Sequence, residues 1–262
     1  AFDSRNPRLE MVQHMYPEYS LQKARELVWS WGEGADTELD RRWQEFSVLL
    51  RQLNAWAFSG GGERQRYVRV GERATDAASL RDRNLAHNRI MRCWRRETPQ
   101  QLTNDGEPFG LELDLSGLTL PSLPDLDADF SHVGSLKLSN MNLSTSPEGF
   151  LARHQGVRWL DMSRNQLREL PPALGQMHGL TRLSLQNNQI RLNPESAAML
   201  ASRSTLRALI LNSNPLDIAP DFSQMTDLRS LGMGNTHIET FPTGLGAQPS
   251  LDAVYLRGSR IS

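Results

Sequence analysis

The sequence predicts a mixed α/β chain in two parts. Residues 1–105 read as an all-α helical domain. Residues 106–262 read as a curved solenoid of about seven repeats, with short parallel strands on its concave face. Three observations predict this. The stretch Val157-Arg-Trp-Leu-Asp-Met-Ser-Arg-Asn165-Gln-Leu167 follows the frame L-x-x-L-x-L-x-x-N-x-L, with one valine and one methionine among its apolar positions. The frame returns at Leu180–Ile190 and at Leu206–Leu216. Before residue 105 it is absent, and apolar residues recur at helical spacing instead.

In the N-terminal part, Ser20 is the expected cap of a helix carrying Leu21, Ala24, Leu27, Val28 and Trp31, ended by Gly32 and Gly34. A second helix is expected from Asp36 or Thr37, with Leu39, Trp43, Phe46, Leu50, Leu53 and Trp56 or Ala57 as its apolar stripe. Ser59-Gly60-Gly61-Gly62 stops it and makes a flexible link. A third helix is expected from about Gly71 to Arg96 through Ala74, Ala77, Ala78, Leu85, Ile90 and Trp94, with Pro99 ending it. The tryptophans Trp29, Trp31, Trp43, Trp56 and Trp94 read as core, one side docking on the first repeat. A solenoid needs a cover over its first repeat, and this helical part can supply one.

In the repeat part, Leu113, Leu136, Leu160, Leu183, Leu209, Leu231 and Val254 anchor successive units, spaced 22 to 26 residues apart. L-x-L is a short strand whose two leucines share one face. The Asn position reads Leu118, Met141, Asn165, Asn188, Asn214, Thr236 and Ser259. The longest unit contains Asn193–Leu200, which reads as a helical turn on the convex side. Leu170-Pro171, Ala219-Pro220 and Phe241-Pro242 mark extended segments with no sheet partner. The last unit is cut after Ile261, and the chain opens on Ala1 rather than Met; both suggest a piece of a longer protein.

Composition narrows the function. Twenty-nine basic residues face 30 acidic ones, for a net charge of -1, so no global field favours nucleic acid or an anionic membrane. No apolar run reaches the roughly 18–20 residues that span a bilayer. The lone Cys93 excludes a disulfide framework and reads as a small buried group. The six histidines form no H-x-x-x-H pair; His132, His154 and His178 fall about one repeat apart and read as loop residues. Phosphate-loop and nucleophile-elbow motifs are absent. No metal, no cofactor and no catalytic residue is expected.

What remains is the concave surface. Outward strand positions include Trp159, Asp161, Arg182, Ile210, Tyr255 and Arg257, and one position earlier Arg158, Arg207 and Arg229 form a basic column. Polar residues are ordinary on such a face, but Trp159, Ile210 and Tyr255 are apolar or aromatic where solvent is expected. Aromatic anchors ringed by arginines suit a protein partner with acidic character.

The repeat frame identifies residues 106–262 as a member of the leucine-rich repeat superfamily. The run Ile90-Met-Arg-Cys-Trp-Arg-Arg96 leading into Leu113-Asp-Leu115-Ser-Gly-Leu118-Thr-Leu120-Pro121 resembles the central region of large bacterial effectors that end in a novel E3 ubiquitin-ligase domain. That resemblance implies a substrate-recognition module with its catalytic domain absent, a host protein as partner, and export from the bacterial cytoplasm into a host cell. The family's ligase cysteine lies in a Cys-x-Asp motif. Cys93 is followed by Trp94 and Arg95, so no catalytic residue carries over. Only Lys23 and Lys137 are lysines; coding bias explains this more cheaply than avoidance of self-ubiquitination. The alternative is a stand-alone repeat scaffold with an undefined activity in its helical part.

Overall fold

A computed structural model describes residues 6–58 and 70–262, with side chains at 6–58 and 79–262. The glycine link at 59–62, and the side chains of Ala74, Ala77 and Ala78, lie outside the described residues. Four helices come first. α1 (Pro7–Met15) opens on Asn6, whose side chain accepts the Arg8 N–H, with Pro7 in the first turn. It was not expected from the sequence, because only Leu9, Val12 and Met15 are buried along it. α2 (Leu21–Ser30) is capped as expected, Ser20 Oγ accepting from the Lys23 amide. Trp29, expected in the core, is 87% exposed instead, because Ala24 is the helix's one fully buried residue.

A short 3-10 turn at Gly32–Gly34, with Gly32 at φ +60°, leads directly into α3 (Ala35–Phe58). The expected cap at Asp36 or Thr37 is therefore not made, and Asp36 pairs instead with Arg8 at 2.8 Å. α3 buries Leu39, Phe46, Leu49, Leu53 and Ala57, while Trp43, Leu50 and Trp56 are half-buried. The buried stripe thus runs through Leu49 rather than the expected Leu50. α4 (Val70–Trp94) buries Ala86, Ile90, Met91, Cys93 and Trp94, whereas Leu85 faces outward. Trp94 ties the helices together. Its ring lies 5.7 Å from Phe46 and 5.9 Å from Tyr16, and its indole N–H donates to Glu45 at 2.7 Å.

One eight-stranded sheet follows, in the order β1 to β8. β1 (Gln100–Leu102) pairs antiparallel with β2 (Pro108–Asp114), and every later pairing is parallel. The later strands are β3 (Val133–Lys137), β4 (Trp159–Asp161), β5 (Arg182–Ser184), β6 (Ala208–Ile210), β7 (Ser230–Gly232) and β8 (Ala253–Tyr255). The anchors stand in one register, Leu113, Leu136, Leu160, Leu183, Leu209, Leu231 and Val254. All but Val254 are buried. On the convex side, α5 (Glu148–Leu151) is short. α6 (Pro194–Ala201) fills the longest repeat, and its Asn193 and Ser196 cap each other reciprocally. β1 has no counterpart in the frame and covers the free edge of β2.

Each strand from β2 to β8 is followed by a turn with positive φ, at Gly117, Asn140, Arg164, Asn187, Ser213, Asn235 and Gly258. From Gly117 to Asn235, the amide of this turn residue donates to a carbonyl of the next repeat. The framework asparagine then looks backward. Asn165 accepts from the Met141 and Leu143 amides and donates to Leu138 O. Asn188 accepts from Leu167 N–H and donates to Met162 O and Leu185 O. Asn214 repeats this with Ile190, Leu185 and Leu211. Thr236 reaches only Met233 O, within its own repeat.

The helices meet the first repeat through several polar contacts. Asp82 accepts the Thr119 amide at 2.8 Å, and Arg89 donates to Asp114 O at 3.2 Å. Gln52 exchanges two hydrogen bonds with Asp127, and Trp56 donates to Ser122 Oγ. Arg95, just past α4, donates to Met15 O. His132 ties its Nε2 to the Cys93 carbonyl.

His154 lies on a loop, as expected, yet it is not a surface residue. It is fully buried, at the core position that Phe130 holds one repeat earlier and Met177 one repeat later. Its ring stacks on Phe130 at 5.2 Å and tilts against Phe150 at 4.5 Å, while Nδ1 meets the Phe150 carbonyl at 2.8 Å. Burial pushes its pKa down to about 4, and burial also lowers that of His132.

Two predictions follow from this packing. In the unfolded chain His154 titrates near 6.5, whereas in the fold it stays neutral to about 4. Its contribution is therefore complete above pH 6.5 and is lost as pH falls toward 4, by about 3 kcal/mol. Thermal melts of wild type should show that loss, and a His154→Phe variant should flatten much of it. Separately, Asn188→Ala leaves buried backbone groups of two repeats unmatched and should cost about 3 kcal/mol. Thr236→Ala, which breaks a single bond within one repeat, should cost about 1 kcal/mol in the same denaturant titration.

Candidate functional site

The sheet register sorts the outward side chains into two columns across the concave face. One runs Glu112, Ser135, Trp159, Arg182, Ala208, Ser230, Ala253. The other runs Asp114, Lys137, Asp161, Ser184, Ile210, Gly232, Tyr255. The register therefore brings Trp159 beside Arg182, and places Ile210 and Tyr255 on either side of Gly232. Arg257 sits two residues past Tyr255, on the turn.

The first half of the face is occupied. Gly110, at φ +127°, lies so close to Gly134 that a Cβ on it would meet Gly134 N at 2.4 Å. This close approach turns Phe109 inward, and its ring sits 4.7 Å from Trp159. Arg182 places its guanidinium 5.5 Å from the other ring system of this group, the Trp159 indole. Trp159 is thus a half-buried packing residue held by Phe109 and Arg182, rather than the free anchor its outward position suggests. Phe109 precedes the repeat frame, and its sequence signal was only the pair Gly110 and Gly134 about one repeat apart.

Charge is divided along the face. Lys137 pairs with Glu112 at 2.8 Å, and Asp114 and Asp161 are its register neighbours. The Glu112 hydrogen bond, and then these carboxylates, raise its pKa. Asp161 also accepts the Ser163 amide, closing the turn after β4. Arg158, Arg207 and Arg229 are exposed at the starts of β4, β6 and β7, with Thr181 at the corresponding place before β5. The basic column is therefore interrupted. Among the described residues, Arg158, Arg182, Arg207, Arg229 and Arg257 have no carboxylate within ion-pair distance. Tyr255 is 59% exposed, and Ile210 is half-buried.

Cys93 is buried, and burial pushes its thiol up to about 11, so at neutral pH it is protonated and not nucleophilic. No group of three or more metal-ligating side chains occurs among the described residues. No helix there is long and apolar enough to cross a membrane.

Comparison with known proteins places the repeats. The family described as leucine rich repeat matches residues 131–190. Human vasorin is 35% identical over 122 residues, which is 45% of this chain and 18% of vasorin. Human podocan-like protein 1 is 28% identical over 148 residues, covering 55% of this chain and 28% of that protein. The chain thus matches less than a third of either relative's length. Among solved structures, YopM, a leucine-rich effector protein from Yersinia pestis, superposes with a TM-score of 0.54 at 27% identity, over 80% of this chain and 48% of its own. Residues 106–262 are about three fifths of the chain, so that likeness extends into the helical segment. Residues 131–190 match the leucine rich repeat family, and the parallel sheet continues the same strand register from β2 to β8 behind a helical N-terminal region.

The aromatic contact yields a test of the site's construction. Phe109→Ala should destabilise the fold by about 3 kcal/mol. It should also shift the Trp159 fluorescence to the red as the indole gains water. A variant that keeps both the wild-type melting midpoint and emission spectrum would show that Phe109 does not hold Trp159.

Proposed function

We propose that this chain is a protein-recognition module that binds a protein partner across its concave face. The observation that carries this is the row of exposed arginines without carboxylate partners among the described residues, beside the exposed Tyr255. Arginine and tyrosine are the side chains that interfaces favour, and unpaired charge steers an oppositely charged partner. Such association slows as salt rises. The site residues of this reading are Arg158, Trp159, Asp161, Arg182, Arg207, Ile210, Arg229, Tyr255 and Arg257. Trp159 acts through the Arg182 that it positions.

The module belongs, in this reading, to a secreted bacterial effector whose partner is a host protein. The YopM likeness supports it, since it takes in helical residues as well as repeats. The curated relatives match 45% and 55% of the chain, a span the repeats alone can supply. A recognition role within an E3 ubiquitin ligase rests on the resemblance of residues 90–121 to that effector group. Export from the bacterial cytoplasm to the host cell belongs to the same reading.

The test is affinity capture from host-cell lysate with wild type and with a Trp159→Ala/Arg182→Ala/Tyr255→Ala variant, compared by quantitative mass spectrometry. The variant should lose at least one partner that wild type captures reproducibly. A folded variant that retains every partner would move recognition away from the concave face.

A further inference from the structure

On the convex side, the repeat that contains α6 does not match the repeat after it. One flank of α6 packs against the 3-10 turn at Pro172–Gln176. Past its other flank the chain runs from Ile218 to Ser223 without a helix. That flank carries Ala197, Ala198 and Ala201, which are too small to reach across. Between them and Ile218 and Ala219 lies a groove of about 490 Å³, which Asp221 also lines.

The backbone holds the far wall outward. Leu216 and Asp217 both take positive φ, at +56° and +70°, a region that side chains disfavour. Ile218 follows them and is 38% exposed. Leu192, equally far past the framework asparagine of the preceding repeat, is 6% exposed. Phe241 stands 61% exposed one repeat farther on, preceding Pro242 as Ala219 precedes Pro220. Exposed apolar surface thus recurs in successive repeats, from α6 to Ile218 to Phe241.

Charge beside this surface is negative. Three residues past the framework position, the column reads Arg168, Arg191, Asp217 and Glu239. Arg191 closes on Asp217 at 2.7 Å, with His237 3.6 Å from the same carboxylate. Arg203 turns to the preceding repeat, donating to Leu174 O and Gly175 O. Arg207 and Arg229 open β6 and β7 on the concave face, and Arg260 lies past Glu239, a repeat farther from α6. Glu195, in the first turn of α6, and Asp221, in the groove, have no cation within ion-pair distance among the described residues.

We propose that this convex groove docks an amphipathic helix of a partner protein, one whose polar face is basic. One aliphatic side chain of the helix enters between Ala198 and Ile218. A second, one or two turns along, covers Phe241. Lysine or arginine beside the first meets Glu195 and Asp221, and complementary charge selects the basic helix over an acidic one. The groove lies on the opposite side of the sheet from the concave face and does not rest on the reading of that face.

The test selects displayed random peptides of about 16 residues, about four helical turns, on the whole chain. Counter-selection uses an Ala198→Gln/Ala201→Gln variant, which fills the groove with uncharged helix-forming side chains. The enriched peptides should carry leucine-like residues at helical spacing, with lysine or arginine between them. A labelled synthetic peptide of that sequence should gain helical circular dichroism on binding, and its affinity is read by fluorescence anisotropy. Ala198→Gln/Ala201→Gln should weaken binding at least tenfold. Glu195→Gln/Asp221→Asn should weaken it at least threefold and flatten its salt dependence; the asparagine keeps an acceptor for the Ser223 amide. Should the glutamine pair disturb folding, Ile218→Ser removes the other wall and should weaken binding as much. The Trp159→Ala/Arg182→Ala/Tyr255→Ala variant should bind the peptide as wild type does, whether or not the concave face recognises a partner. Enrichment of peptides without basic residues overturns the proposal, as does a peptide that binds the groove variants as tightly as wild type. A self-associated form of the chain, seen by sedimentation velocity and broken by the groove variants, assigns the groove to a second copy and overturns it too.

Discussion

The fold depends on satisfying backbone groups at the end of every strand. After two or three strand residues the chain must turn into the core. The turn carries N–H and C=O groups that no strand partner can reach, and burying them unmatched is costly. In the three central repeats the answer is the same. A residue with positive φ aims its amide at the next repeat, and the buried asparagine behind it reaches back to the preceding one. Asn165, Asn188 and Asn214 thus couple neighbouring repeats, and stacking inherits its cooperativity from them. Where Leu118 and Met141 replace the asparagine, both side chains are buried. The helices add polar contacts there instead, Asp82 accepting the Thr119 amide and Arg89 reaching Asp114 O.

Because this constraint fixes the register, it also arranges the surface. Residues between the anchor leucines have no role in the core, so they are free to carry recognition chemistry. The face is divided as a result. Near β2–β4 it is closed by Phe109 against Trp159 and held by Glu112 with Lys137. Near β6–β8 it is open, small-residued and edged by arginines. The two ends therefore differ in which outward side chains are covered, Trp159 being half-buried and Tyr255 exposed.

The interior also departs from uniformity. His154 takes a place that its neighbours fill with phenylalanine and methionine, and Phe130 lies between it and His132. Both imidazoles are disfavoured as cations by burial. His132 at the same time donates its Nε2–H to the carbonyl of Cys93, where α4 ends. Acid sensitivity is therefore concentrated at the junction of helices and repeats.

By itself the sequence determined the repeat register, the seven anchors, a helical turn within 193–200 and the helical character of the N-terminal part, because these rest on periodicity and local capping. Leu183 and Leu185 could be placed in the core from spacing alone. Tertiary structure decided what periodicity does not encode. Leu49 rather than Leu50 turned fully inward, and Trp29 stayed in solvent, because helix rotation is set by the neighbour a helix meets. β1 was invisible because three residues without a repeat frame carry no signal until β2 offers an edge. For the site, the outward positions were legible and their states were not. Trp159 and Tyr255 both read as outward aromatic residues, yet Phe109, brought over by the Gly110–Gly134 approach, covers one and leaves the other open. That difference lies in a contact between residues 50 positions apart, which only the folded chain brings together.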